Sequence, residues 1–289
     1  MEQLIMKAYA KVNLALDVLG RRDNGYHDLR MVMQTVDLYD LLTFTPTDEP
    51  GVALTSNVSN LPTDGSNLIC KAAALIMERF KPKMGVAIHL EKRIPMAAGM
   101  AGGSTDAAAT LIALNELFGF GLSRDELCEL GVLIGADVPY CILGGTALAE
   151  GIGEILTPLP PVPACPVVIT KPDFGVSTKE VYENLDLSLL EKHPDVDFMI
   201  QAIKEGDLKR MASYMRNDLE SVTELRYPEI AAIKERMIAS GAFASMMSGS
   251  GPTVFCLCES EEIAKHVAEE IRVAFPKAET KVSSFYNKG

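Results

Sequence analysis

Residues 95–106, PMAAGMAGGSTD, place three glycines and a Ser-Thr-Asp trio directly before the apolar run AAATLIALNEL. Glycine admits positive φ and lets a ligand approach backbone amides that a Cβ would shield. The first four N–H groups of a helix have no partner inside it, and the helix dipole puts about half a positive charge there. Loop and helix start together make an anion site, most often one for phosphate. The hydroxyls of Ser104 and Thr105 add partners for a phosphate oxygen or for water on Mg2+. The plainer reading of these two is an N-cap in front of alanines packed into the core. Neither common phosphate loop fits the spacing. G-x-x-x-x-G-K-[ST] needs a lysine that is missing, and after Gly151 and Gly153 of a would-be G-x-G-x-x-G stands Leu156.

Other residues carry chemistry singly. Asp137 in GADVPYCI is a lone carboxylate among apolar residues, in a tight turn between Gly135 and Pro139, and reads as a helix N-cap or as a base. Lys11 lies on a strand otherwise lined with Val, Leu and Ala, and Asn13 shares its face because strand side chains alternate. A surface lysine is the alternative there. Tyr26 and His27 follow the turn signal Asn24-Gly25, which alone makes them loop residues. Ser248-Gly249-Ser250-Gly251 is a second glycine turn, suited to contacting a phosphate or simply to entering a strand.

The elements that must position these residues are a mixture of strands and helices. Alternation at Val12, Leu14, Leu16 and Val18, and again through VMQTVDLYDLLTF, predicts strands over the first ~45 residues. NLICKAAALIMERF, 67–80, has helical spacing and is stopped by Pro82, and GVAIHLEKRIP returns to a strand. Ser123 and Glu126 form a capping box opening a helix over ELCELGVLIGA, and GADVPYCILGGTALAEGIGE reads as a compact turn. LTPLPPVPACP, 156–166, has five prolines and is the expected boundary, dividing the chain into 1–158 and 159–289. Beyond it come a strand (PVVITKP), a capped helix (STKEVYENL), a helix-rich stretch to about 240, a glycine turn into the strand at SMMSGSGPTVFCLC, an amphipathic helix and a last short strand. Without strict β-α-β alternation, an α+β architecture in two parts is expected.

Composition narrows the function. The 289 residues are 48% hydrophobic and 23% charged, ordinary for a globular protein with a sizeable core. A net charge of −12 argues against nucleic-acid binding, although local amides and lysines can still hold a phosphorylated ligand. No run approaches the ~18–20 apolar residues of a membrane span, and no signal-peptide core is present, so no membrane partner and a cytoplasmic location are expected. The six cysteines are scattered in apolar runs and read as buried free thiols, with Cys256 and Cys258 on one strand face. The four histidines are dispersed, so no metal cluster is expected among protein side chains.

Pro95-x-x-x-Gly99-Met-Ala-Gly-Gly-Ser-Thr-Asp-Ala-Ala resembles the P-x-x-x-G-L-x-G-G-S-S-D-A-A loop of the GHMP kinase superfamily, with Met100 and Ala101 in place of the usual Leu and Gly. AYAKVNLALDVLGRRDNGYHDL, 8–29, and MSGSGPTVF, 247–255, resemble that superfamily's first and third motifs, in the right order. KVNL, GYH and GADVP are similar to the branch that phosphorylates a cytidine-diphosphate-linked methylerythritol in non-mevalonate isoprenoid synthesis. The resemblance spans nearly the whole chain. It implies a ribosomal-protein-S5-like N-terminal domain, a ferredoxin-like C-terminal one, and an active site between them. It also implies ATP as co-substrate with Mg2+, and a monomer or homodimer.

The residue roles come from the same resemblance. Pro95, Met96, Ala97, Ala98, Gly99, Met100, Ala101, Gly102, Gly103, Ser104 and Thr105 hold ATP, with Asn67 and Lys92 near the nucleotide. Asp137 is the base that takes the substrate hydroxyl proton, assisted by Lys11, and Asn13 hydrogen-bonds the substrate. His27 reads the cytosine edge, Tyr26 stacks on the base, and Tyr182 closes the sandwich. Thr178, Gly249 and Ser250 contact the substrate or the transferred phosphate.

Overall fold

The N-terminal alternation extends into two long strands, β1 (Leu4–Arg21) and β2 (His27–Thr47). They are joined by a turn in which Arg22 N donates to the Tyr26 carbonyl at 2.7 Å and Gly25 takes φ 86°. The computed structural model describes residues 3–190 and 192–287. The chain forms two compact units. One comprises residues up to Ala10, Leu38–Met96 and Ala101–Leu143, and the other Lys11–Asp37, Ala97–Met100 and the chain from Gly144 onward.

In the first unit follow β3 (Val52–Ser56), α1 (Leu68–Phe80), β4 (Gly85–Glu91), α2 (Gly102–Phe118), α3 (Arg124–Val132) and α4 (Val138–Leu143). β4 runs antiparallel to the second half of β2, from Leu41↔Glu91 to Thr47↔Gly85, and β3 lies parallel to β4. Phe44, Leu42, Ile88 and Leu90 on this sheet pack with Ile69 and Ile76 of α1 and with Ala107, Leu111 and Leu114 of α2. Residues 105–111 of α2 are buried without a break. Alanine makes this possible, because a helix enclosed on all sides must be apolar and thin.

The second unit continues with β5 (Thr146–Gly151), β6 (Ile155–Pro158), β7 (Pro166–Lys171), α5 (Thr178–Glu183), α6 (Val196–Glu205), α7 (Leu208–Ser213), β8 (Arg216–Asn217), α8 (Glu220–Arg226), α9 (Glu229–Ala239), β9 (Ala244–Met247), β10 (Val254–Leu257), α10 (Glu261–Ala274) and β11 (Glu279–Ser284). β5 pairs antiparallel with the first half of β2, and β8 runs parallel to β1 at Ala15 and Leu16. A separate antiparallel sheet has the order β11-β7-β10-β9. Numbered along the chain, that order is 4-1-3-2, with α10 between its third and fourth strands, the ferredoxin-like arrangement of a split βαβ.

The chain is α+β, as expected. The stretch expected as one compact turn, 135–154, instead contains α4 and β5. Proline hid α4, but Pro139 lies in the helix's first turn, where its missing N–H costs nothing.

Candidate active site

The loop entering α2 has left-handed backbone at alternate positions: Ala97 (φ 50°), Gly99 (φ 70°) and Ala101 (φ 56°). Two of the three are alanines, each paying roughly 1–2 kcal/mol for a conformation glycine adopts freely. Strain of this kind persists where the surroundings enforce it, and an alternating αR–αL backbone turns successive amides towards one anion. Ala101 is the N-cap of α2 and makes no side-chain cap bond, whereas Ser123 caps α3 in a full capping box. Ser104 and Thr105 therefore lie inside the first turns and are not the cap.

Three buried ionisable side chains hold this helix start. Lys92, just after β4, pairs with Asp40 of β2 and, at 2.8 Å, with Asp106 of α2. Asp40 Oδ1 also accepts from the Arg93 and Ile94 amides, at 2.5 and 2.8 Å. Burial pushes Asp106 up to about 8 against the pull of Lys92. Burial alone would lower Lys92, but Asp106 and Asp40 outweigh it and hold the lysine above its ordinary value. A Cβ on Gly102 would stand 3.0 Å from Lys92 Nζ, so this ammonium lies under the loop. Lys92, expected near the nucleotide, thus has its charge committed to protein carboxylates. Asn67 is similarly committed. Its Oδ1 accepts from Ile69 N at 2.9 Å, capping α1, and its Nδ2 donates to the Pro62 carbonyl at 2.7 Å. Asp137 is half-buried immediately before α4, and its carbonyl accepts from Cys141 N at 3.1 Å.

In the second unit Lys11 is buried, which rules out the surface-lysine reading, and its Nζ donates to Asn13 Oδ1 at 2.8 Å. Ser248 Oγ donates to the Gly99 carbonyl at 3.0 Å, and a Cβ on Gly249 would stand 3.1 Å from that same oxygen and 3.6 Å from Asn13 Oδ1. The first strand, residue 99 of the loop and the second glycine turn therefore converge. Thr178 and Ser250 share a hydroxyl hydrogen bond of 2.8 Å. A Cβ on Gly99 would sit 2.2 Å from the Ser248 carbonyl oxygen. Gly99→Ala, which adds that clash to a positive φ, is expected to cost about 2–4 kcal/mol, read as a lower denaturant midpoint at unchanged slope.

His27 is buried and its ring stacks on Tyr182 with centroids 5.0 Å apart and planes 28° from parallel. Burial, reinforced by the charge of Arg21, lowers the His27 pKa, so the ring is neutral at pH 7 and offers one donor and one acceptor. Tyr26 is exposed, and it is His27 that meets Tyr182. The sequence reading missed three supporting residues: Asp40, Asp106 and Asn217. Asn217 Nδ2 donates to the Met247 and Gly249 carbonyls at 2.9 and 2.8 Å, fixing the glycine turn. Asp40 and Asp106 each sit in an apolar run, and a buried carboxylate demands a partner. Nothing local marks Asn217.

Residues 67–145 match the GHMP kinase N-terminal domain, and residues 199–277 match the GHMP kinase C-terminal domain. The chain belongs to the GHMP kinase family. As a GHMP kinase it is an ATP-dependent phosphotransferase. Among its relatives, the 4-diphosphocytidyl-2-C-methyl-D-erythritol kinase of Lachnoclostridium phytofermentans is 52% identical over 99% of this chain and 98% of its own. The enzyme of the same name from Caldicellulosiruptor saccharolyticus is 50% identical over 93% of each chain. A crystal structure of 4-(cytidine 5'-diphospho)-2C-methyl-D-erythritol kinase superposes with a TM-score of 0.85 at 34% identity, covering 99% of this chain and 100% of that one. Homoserine kinase from Cytophaga hutchinsonii, with a TM-score of 0.80 at 20% identity over 99% and 95% of the two chains, shares the GHMP kinase fold.

Proposed function

We propose that this GHMP kinase transfers the γ-phosphoryl group of ATP to the 2-hydroxyl of 4-diphosphocytidyl-2-C-methyl-D-erythritol, a step of non-mevalonate isoprenoid precursor synthesis. The observation that carries the reading is the near-full-length match, at about half identity, to relatives that bear this enzyme's name. The hydroxyl oxygen bonds to the γ-phosphorus, the bridging bond to the β-phosphate breaks, and ADP departs. The hydroxyl proton passes to Asp137. Such transfers proceed through a loose transition state, so positioning and charge stabilisation supply most of the rate.

The amides of the strained 97–103 loop and the start of α2 receive the triphosphate. Lys11, oriented by Asn13, faces the charge that develops on the reacting oxygens. Mg2+ takes oxygen donors, usually one or two carboxylates beside substrate phosphates. The Ser104 hydroxyl fits this set, as does Asp106, whose buried Oδ1 has no hydrogen-bond partner. Ser104 and Asp106 would hold the ion, which when bound neutralises charge on the β- and γ-phosphates.

The neutral His27 imidazole matches a cytosine edge with its one donor and one acceptor, and Tyr182 and Tyr26 supply ring faces. Base stacking on an aromatic is worth roughly 1–3 kcal/mol. Tyr182→Ala is therefore expected to raise KM for the cytidylated substrate about 5- to 150-fold while leaving KM for ATP unchanged, in steady-state kinetics with each substrate varied in turn. The defining assay is ADP release from Mg-ATP with diphosphocytidyl-methylerythritol, mevalonate, homoserine and galactose. Turnover confined to the first supports the reading. Turnover of another alcohol keeps the phosphate loop and discards the base pocket, and no turnover with any of them points to a nucleotide-binding protein without catalysis.

A further inference from the structure

Asp17 on β1, His193 on the segment leaving α5, and Asp218 just after β8 come together although up to 201 residues separate them in the chain (218 − 17). Each offers one ligand atom, and these atoms all lie within 4.8 Å of one another. His193 Nδ1 stands 2.8 Å from Asp17 Oδ1 and 3.3 Å from Asp218 Oδ2. We propose that these three residues form a binding site for a divalent transition-metal ion, Zn2+ foremost, separate from the residues assigned to phosphoryl transfer. The dispersed histidines had suggested no such cluster; the fold supplies it.

A protonated His193 clamped between two carboxylates is the simpler account, but it leaves one buried oxygen without a partner. The Asp218 side chain is fully buried. Its Oδ2 accepts from Val18 N at 3.0 Å and lies near the imidazole, but Oδ1 has no hydrogen-bond partner. A single imidazolium proton engages one oxygen and leaves Oδ1 buried and unsatisfied, at the full desolvation cost of that group. A dication beside both carboxylates compensates it.

The donor set selects the ion. One imidazole and two carboxylates suit Zn2+, which binds them at ~2.0–2.2 Å with tetrahedral neighbours roughly 3.3–3.6 Å apart. The side chain of His193 is 50% exposed, so solvent reaches the site and water can complete the fourth position. The ion would brace elements that serve the active site. Asp17 shares the β1 face of Lys11 and Asn13, and Asp218 follows Asn217, which holds the Met247 and Gly249 carbonyls.

The test is calorimetric titration of ZnCl2 into chelator-treated full-length protein without nucleotide, with His193→Ala and Asp218→Asn in parallel. Wild type is expected to bind one Zn2+ per chain at micromolar Kd or tighter, to melt at higher temperature with Zn2+, and to hold that ion against millimolar Mg2+. His193→Ala removes an exposed side chain, so the variant folds, and it is expected to weaken binding at least tenfold. In wild type loaded with Co2+ instead, visible absorption of a low-coordinate ion should appear, and it should be lost in His193→Ala. If wild type binds no Zn2+, or His193→Ala binds it as tightly, the proposal is overturned and the cluster is a protonated clamp. Should Asp218→Asn fail to fold, the His193 comparison decides alone.

Discussion

Asp137→Asn is expected to lower kcat by about 10²–10⁴ while leaving the fold and ATP affinity in place. The substitution keeps shape and volume and removes only the ability to take a proton. Asp137 is half-buried, and its backbone carbonyl already receives the Cys141 amide at the start of α4, a bond the asparagine retains. Asparagine is also a good N-cap, so a purely structural role predicts a variant of nearly wild-type stability and rate. A catalytic role predicts normal melting with slow turnover. The loose transition state places the loss towards the lower end of the range, since little proton transfer is needed before the phosphoryl group has largely departed. Lys11→Met tests the partner. If the two groups act as a unit, the double variant should be scarcely slower than the worse single one, because residues that work together are strongly non-additive. Retention of more than a tenth of wild-type kcat by Asp137→Asn would mean that the base lies elsewhere.

What could be read in the sequence was local. The 95–106 loop advertised itself because small residues before an apolar run have few structural uses, and the Ser123–Glu126 capping box is present as written. Strand periodicity placed Asn13 on the face of Lys11, where the two hydrogen-bond. Depth was not legible. Lys11 is an ordinary lysine in the sequence and buried in the fold. Nor were distant partnerships: Lys92 meets Asp40 across 52 residues, and His193 meets Asp17 across 176. Such pairs are chosen by tertiary packing and leave no periodic trace. The loop's backbone ran against expectation in detail, since Ala97 and Ala101 hold angles that the glycine pattern assigned to glycine. Propensity ranks residues on average, and the surrounding structure can overrule it where function rewards the strain.

The same overruling makes Lys92 the residue on which the loop most depends for stability. Lys92→Met is expected to cost about 3–5 kcal/mol, the usual penalty for removing one member of a buried ion pair. Methionine fills the space of the aliphatic stem, so the loss reports charge and not volume. Asp40 and Asp106, both almost fully buried, would face each other without their shared cation. Two features decide where in the range the value falls. Asp40 keeps the Arg93 and Ile94 amides, which continue to solvate one oxygen, and Asp106 is already pushed up to about 8, so it relieves the repulsion by taking a proton. Both favour the lower end, near 3 kcal/mol. Adding Asp106→Asn to Lys92→Met puts a neutral amide where Asp106 must otherwise take up a proton, and should recover about half of the loss, measured as denaturant midpoints at constant slope. Activity should follow a different course. Asp106 belongs to α2, whose first turn is proposed to receive the phosphates, so the double variant regains stability while KM for ATP stays high. If stability and ATP affinity recover together, the triad is only a fold staple. If Lys92→Met leaves the midpoint unchanged, the lysine carries no structural charge at all, and its place beside the nucleotide becomes the better account.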